Sequence, residues 1–280
     1  MYYSIDVIYD IKHVDYLNFR KPYLFKGGCS NMKIIKDDNN NIGYLNTELG
    51  NIDFPVETYE NKNKMGETRI KNYENKNFNI IHEKIINDEK PYHYLAEVDL
   101  LETKGVPEEF LGNFELEIDK YRENDGILIF FGNNGKSGCH LHTSHDYILN
   151  QIIGEKVVYM FDYYDNKIEF DSILSSKPNF TKENFFDMDH RKMKIYKIEL
   201  EEGDSLFIPP WWFHAVEGKE INCSITKTYD RSDYLYALTK PHLLLIMLMS
   251  CLLDYIEDCV NIVISIIVIL IILLIYLLIS

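Results

Sequence analysis

Two separated stretches decide how this chain reads: Gly138-Cys139-His140-Leu141-His142 and Gly203-Asp204-Ser205-Leu206-Phe207-Ile208-Pro209-Pro210-Trp211-Trp212-Phe213-His214. In an extended strand residues i and i+2 point to one face, so His140 and His142 can present their imidazoles side by side to a single metal ion. The second stretch then supplies a third ligand, His214. Its Gly-Asp turn leads into an apolar strand, and Pro209-Pro210 makes a stiff exit that aims Trp211, Trp212 and His214 at a fixed place. Two ligands from one strand and a third from a distant one leave coordination positions open. The chain has nine histidines. His13, His82, His93 and His190 sit in no motif and read as surface or core residues.

Working outward, the runs Ile127–Phe131, Lys156–Phe161, Lys194–Leu200 and Ser205–Ile208 are apolar or β-branched and bounded by Gly, Asn or Asp, which predicts strands. Helices are expected near Val14–Phe19 and Pro107–Leu111, outside the barrel. The Asn- and Lys-rich stretches around Asp37–Asn41 and Glu60–Lys64 read as loops. The predicted fold is an all-β core, a double-stranded β-helix of the jelly-roll or cupin kind, with flanking helices and a C-terminal transmembrane helix. Barrel mouths are common ligand sites.

An ordered set of motifs carries a resemblance over roughly Asp15 to Tyr229. It begins with Asp15-Tyr16-Leu17 and Lys21-Pro22-Tyr23-Leu24-Phe25-Lys26-Gly27. Tyr92-His93-Tyr94-Leu95 and Val98-Asp99-Leu100 follow, then Ile127-Leu128-Ile129-Phe130-Phe131-Gly132 and Ser137 to His142. Asn150-Gln151-Ile152-Ile153-Gly154-Glu155-Lys156 and Ser224-Ile225-Thr226-Lys227-Thr228-Tyr229 complete it. In this order they resemble the cupin-fold oxygenases of the JmjC and factor-inhibiting-hydroxylase type. The resemblance implies Fe(II) and 2-oxoglutarate as cofactors and a protein side chain as the substrate to be hydroxylated. It implies that Lys156, in the apolar-Gly-x-Lys strand, pairs with the distal carboxylate of 2-oxoglutarate. Ser137, Thr226 and Lys227 are further candidates for that pocket, and Trp211, Trp212 and Phe213 for its walls.

The family's first ligand pair is usually His-x-Asp or His-x-Glu, giving a facial triad with one carboxylate. Here the second position is His142. Three registers stay open: His140 with His142, His142 with Asp146, and His145-Asp146. The first is favoured because Ser137 then falls three residues before the first ligand, where the family tends to carry Ser or Thr. Three-histidine cupins form a class of their own. A neutral triad either supports different oxidation chemistry or leaves a non-catalytic cupin module that binds a partner, so position 142 separates the two readings.

Length and composition fit one domain and a tail, divided as 1–125 (flanking region and first barrel strands), 126–232 (cupin core), 233–258 (juxtamembrane apolar segment) and 259–280 (anchor). A net charge of −15 argues against a nucleic-acid-binding surface. The five cysteines have no metal-like spacing and form no disulfide framework. Cys139, next to His140, should face the other way and serve packing. Met1–Val7 lacks the pattern of a secretory signal. From Cys259 to Ser280 there is no charged residue, and about twenty such residues span a bilayer as a helix. The expectation is a single-pass, tail-anchored protein whose cupin domain faces the cytosol.

Overall fold

Two long antiparallel strands, His145–Asp162 and Trp212–Asp230, run beside one another for almost their whole lengths and organise the protein. Both are buried along most of both faces, and the buried positions include polar ones, Asn150, Gln151 and Lys156 on the first and Asn222, Ser224, Thr226 and Lys227 on the second. The computed structural model describes residues 2–9, 20–38, 41–62, 72–162, 166, 168–169 and 179–231. The strands are β1 (Tyr2–Tyr3), β2 (Asp6–Ile8), β3 (Tyr23–Phe25), β4 (Asp53–Tyr59), β5 (Asn72–Asn77), β6 (Tyr92–Asp99), β7 (Gly126–Asn133), β8 (Lys136–His140), β9 (His145–Asp162), β10 (Ile195–Leu200), β11 (Ser205–Ile208) and β12 (Trp212–Asp230).

The register of β9 against β12 slips between Lys219 and Ser224. That irregularity lets each long strand serve two layers. The first half of β9 lies between β11 and the last part of β12, and the layer continues as β2-β3-β11-β9-β12-β7-β6-β4-β5. The second half of β9 lies between β10 and the first part of β12, with β1 and β8 at the margins. This is the jelly-roll arrangement expected of an all-β cupin core. Strands on both sides of residue 125 share it, since β4, β5 and β6 extend the sheet from β7 and β3 pairs with β11. Three of the four predicted strands fall within β7, β9 and β11, and the fourth, Lys194–Leu200, is β10 with one residue more at its start.

Four helices are described: α1 (Lys33–Lys36), α2 (Ile42–Leu49), α3 (Phe78–Ile86) and α4 (Glu108–Leu111). The expected helix near Pro107–Leu111 is α4, with Pro107 as its N-cap residue. The stretch read as an Asn-rich loop turns into α2 at Asn41, whose side chain accepts the Tyr44 N–H at 2.8 Å. From α2, Leu45 and Leu49 one turn apart, and from α3, Phe78, Ile81 and Ile85, pack into one core with Phe54, Leu95 and Phe131 of the sheet. The helices thus cover the outside of the β4-β6-β7 wing and leave the space between the layers to the site. Among the described residues no helix is long and apolar enough to cross a membrane. The expected anchor at 259–280, the apolar run at 233–258 and the helix near Val14–Phe19 lie outside the described residues.

Candidate metal centre

β8 ends at His140, which stands directly across from His214 near the start of β12. His142 follows just past the end of β8, where the main chain is fastened to the second half of the site: Trp211 N–H donates to the His142 carbonyl at 2.9 Å. Trp211 makes that bond with φ +70°, uncommon for a bulky residue and costing on the order of 1–3 kcal/mol. The stiff Pro-Pro exit therefore aims β12 by way of a strained residue tied to the first histidine strand.

The three imidazoles converge. Ring centroids are 4.8 Å apart for His140 and His142, 4.4 Å for His140 and His214, and 4.9 Å for His142 and His214. Their ligand nitrogens all lie within 4.8 Å of one another. His140 Nδ1 meets the Gly138 carbonyl at 2.8 Å and His214 Nδ1 the Trp212 carbonyl at 3.3 Å. A carbonyl can only accept, so both rings carry hydrogen on Nδ1 and offer Nε2 to a metal, the arrangement that orients imidazole ligands elsewhere. His140 also stacks on Phe180 (4.6 Å, 15°) and His142 on Tyr147 (3.6 Å, 14°). Phe180 comes from a segment bonded to the histidine strand through Thr181 N–H to the Cys139 carbonyl and Leu141 N–H to the Asn179 carbonyl. Burial, joined by the neighbouring imidazoles, pushes His142 well below the usual histidine range and lowers His214 to about 3. Neutral imidazoles are the form that binds metal, so the donor set fits a divalent ion such as Fe(II) or Zn(II) without first losing protons.

The cleft around these rings is lined from both layers by Tyr94, Phe130, Ser137, Lys156 and Thr226 among others, and is narrow, with about 30 Å³ of free volume. Lys156 is 1% exposed, donates to Ser224 Oγ at 2.5 Å and stands 5.2 Å over the Phe130 ring. No carboxylate pairs with it among the described residues, and burial lowers its pKa to about 8. Thr226 Oγ1 is buried with no hydrogen-bond partner. A buried ammonium and an unsatisfied hydroxyl in one cleft fit a carboxylate ligand. Gly154 makes this possible: its φ is +69°, and a Cβ there would sit 2.5 Å from the Ile221 carbonyl. The bend it allows sets the face on which Lys156 emerges.

Ser137, Lys156, Thr226 and the three histidines are thus brought to one cleft. Other expectations are corrected. Asp146, the alternative ligand, is 1% exposed and its carboxylate is held by Arg122 at 2.9 Å and by Arg231, away from the histidine group. His145 faces Asp125 at 3.9 Å. Lys227 is on the opposite side of β12 from Thr226, pairs with Asp119 and donates to the Phe114 carbonyl. Trp211 and Phe213 pack with Cys139, Leu141 and Phe161, while Trp212 joins the core beside Leu206 and Ile208. They support the site from behind and do not wall it. Tyr94 and Tyr147 line the cleft and were not among the sequence candidates. Burial raises both phenols, so they stay protonated donors.

A jelly roll in which His140 at the end of β8, His142 just beyond it and His214 near the start of β12 converge defines a cupin-type protein with a group able to hold a metal ion. The chain belongs to the cupin-like domain family, whose model matches residues 11–234. It is also 29% identical over 136 residues to tRNA wybutosine-synthesizing protein 5 of Gallus gallus, a match covering 42% of each chain. The aligned part therefore spans less than half the length of that curated relative.

Proposed function

We propose that this chain is an Fe(II)- and 2-oxoglutarate-dependent oxygenase that hydroxylates a protein side chain and is held at a membrane by residues 259–280. The observation that carries this reading is the meeting, in one cleft, of three metal-competent histidines with a buried, carboxylate-free lysine and an unsatisfied threonine. His140, His142 and His214 would hold the ion, and Lys156 with Thr226 and Ser137 would hold the far carboxylate of 2-oxoglutarate. Iron and the oxoacid bound together would let dioxygen act as the oxidant for C–H hydroxylation, one oxygen atom going to the substrate and the other to the succinate left when the oxoacid loses carbon dioxide. The protein's own part is binding and exclusion. Lys156 draws a dicarboxylate down to the layer below the histidines, and Tyr94 and Tyr147 offer protonated hydroxyls at the walls. Leu149, Ile208 and Val216 keep that floor apolar. A tethered domain with a net charge of −15 suits a protein substrate better than a polyanion, so the tRNA in the relative's name is not transferred to this chain.

His142 in place of a carboxylate favours a second reading, a membrane-tethered cupin module that binds metal or partner without turnover. One experiment separates the two. The full chain, purified without oxygen, is assayed for Fe(II) binding and for 2-oxoglutarate conversion to succinate, beside His214→Ala and Lys156→Ala. Turnover that disappears in both variants supports the oxygenase. Tight Fe(II) binding with no turnover supports the binding module, and no Fe(II) binding refutes both metal roles.

A further inference from the structure

One carboxylate does stand at the cleft, and it comes from neither histidine-bearing segment. Glu97 lies in β6 where pairing with β7 slips between Leu95 and Val98, and its φ is +56°. A left-handed glutamate at a bulge is uncommon, and bulges near sites serve to re-aim a side chain. The result here is that Glu97 lines the cleft together with His140, His142, His214 and Tyr147. Its charge reaches both the His214 ring and the Tyr147 hydroxyl. The residue is exposed, at the mouth, and its carboxylate stands outside the trio of nitrogens.

The donor set gives a reason for an anion at this place. Three neutral imidazoles leave both charges of a divalent ion uncompensated in a largely apolar cleft, whereas the usual two-histidine, one-carboxylate set cancels one of them. We propose that Glu97 is the anionic partner of this centre, supplying from outside the coordination sphere the negative charge that position 142 lacks. Acting from outside, it leaves open the coordination positions that the proposed function needs. The inference rests on the three-histidine reading of the site.

The test uses the full chain in mild detergent with Co(II) as the probe, reading affinity by titration and ligand geometry by the intensity of the visible Co(II) bands. Wild type, Glu97→Gln, Glu97→Lys and His214→Ala are compared, with circular dichroism and thermal melts showing that each is folded. The expected result is about a tenfold loss of affinity in Glu97→Gln, within the range for partners outside the first shell. Glu97→Lys loses more, and both keep the wild-type band intensity. Affinities in both variants equal to wild type, with His214→Ala losing the metal, overturn the role of Glu97 and leave the histidine centre standing. A changed band intensity in Glu97→Gln overturns the placement outside the coordination sphere. Absence of Co(II) binding by wild type overturns the inference and the centre together.

Discussion

Lys156 carries an ammonium where water does not reach it, and that fixes how the residue behaves with pH. Its folded pKa is lowered to about 8 by burial, against the ordinary 10.5. Between those values the unfolded chain holds more protons than the folded one, so stability rises with pH. Below pH 8 both states are charged and the fold carries the full desolvation cost. Above 10.5 both are neutral and the cost is gone. Lys156→Met is therefore expected to be more stable than wild type at pH 7 by on the order of 3 kcal/mol, with the gain vanishing toward pH 10.5. Urea midpoints at the two pH values check it, and equal midpoints at pH 7 would mean the ammonium is solvated. Under the proposed function the same variant is expected to lose dicarboxylate binding, which would make the lysine a residue kept for its ligand against the interest of the fold. Asp146 is the reverse case. Asp146→Asn leaves Arg122 and Arg231 facing each other over a neutral amide, and a loss of about 3–5 kcal/mol is expected. Metal affinity, measured by titration, stays at the wild-type value because the carboxylate is not in the histidine group.

At the scale of elements, the bend in β9 is what joins metal site to lysine. Gly154→Ala forces a side chain onto a backbone with φ +69° and against the Ile221 carbonyl. The expected cost is above about 2 kcal/mol, read from the denaturant midpoint, with weaker 2-oxoglutarate binding because Lys156 is re-aimed. The Gly-x-Lys spacing was legible in the sequence, as were the histidine strand, the Gly-Asp turn and the Pro-Pro exit. In each of these, local chemistry and the fold agree. Asp204 shows why the turn reads so well: its carboxylate accepts from Lys26, from Gly27 N–H and from Glu201 N–H, binding β3 to the loop before β11. What sequence reading missed is partly local patterning hidden by composition and partly partners distant in the chain. Asn41 caps a helix in a stretch whose composition alone suggested a loop, and α3 has its i, i+3, i+7 apolar stripe only when Phe78 is counted as its first residue. Asp146, four residues after His142, reads as an alternative ligand, and only the return of Arg122 and Arg231 to the same spot reveals its structural job. Glu97 and Phe180 carry no motif at all, since a register slip in β6 and a bridge to His140 bring them to the centre.

For the molecule as a whole, charge and the apolar run at 259–280 make opposite demands on a membrane. With 44 acidic against 29 basic side chains, the chain is repelled by anionic headgroups and not drawn to them. Glu97 also borders a groove containing Asp53, Asp99 and Glu102, so the mouth of the cleft adds to that negative field. The proposed attachment would then come from apolar burial alone, which salt does not weaken, whereas a peripheral contact made by charges would be screened within about 10 Å at ordinary ionic strength. On fractionation of cells expressing the full chain, it is expected to stay with membranes through high-salt and alkaline-carbonate washes and to leave only in detergent. Deleting 259–280 should move the protein to the soluble fraction with its Co(II) affinity unchanged, because every residue of the cleft lies between Tyr94 and Thr226. Release of the full chain by salt would show that the apolar run is not inserted, and the proposed oxygenase would then have to find its substrate without a tether.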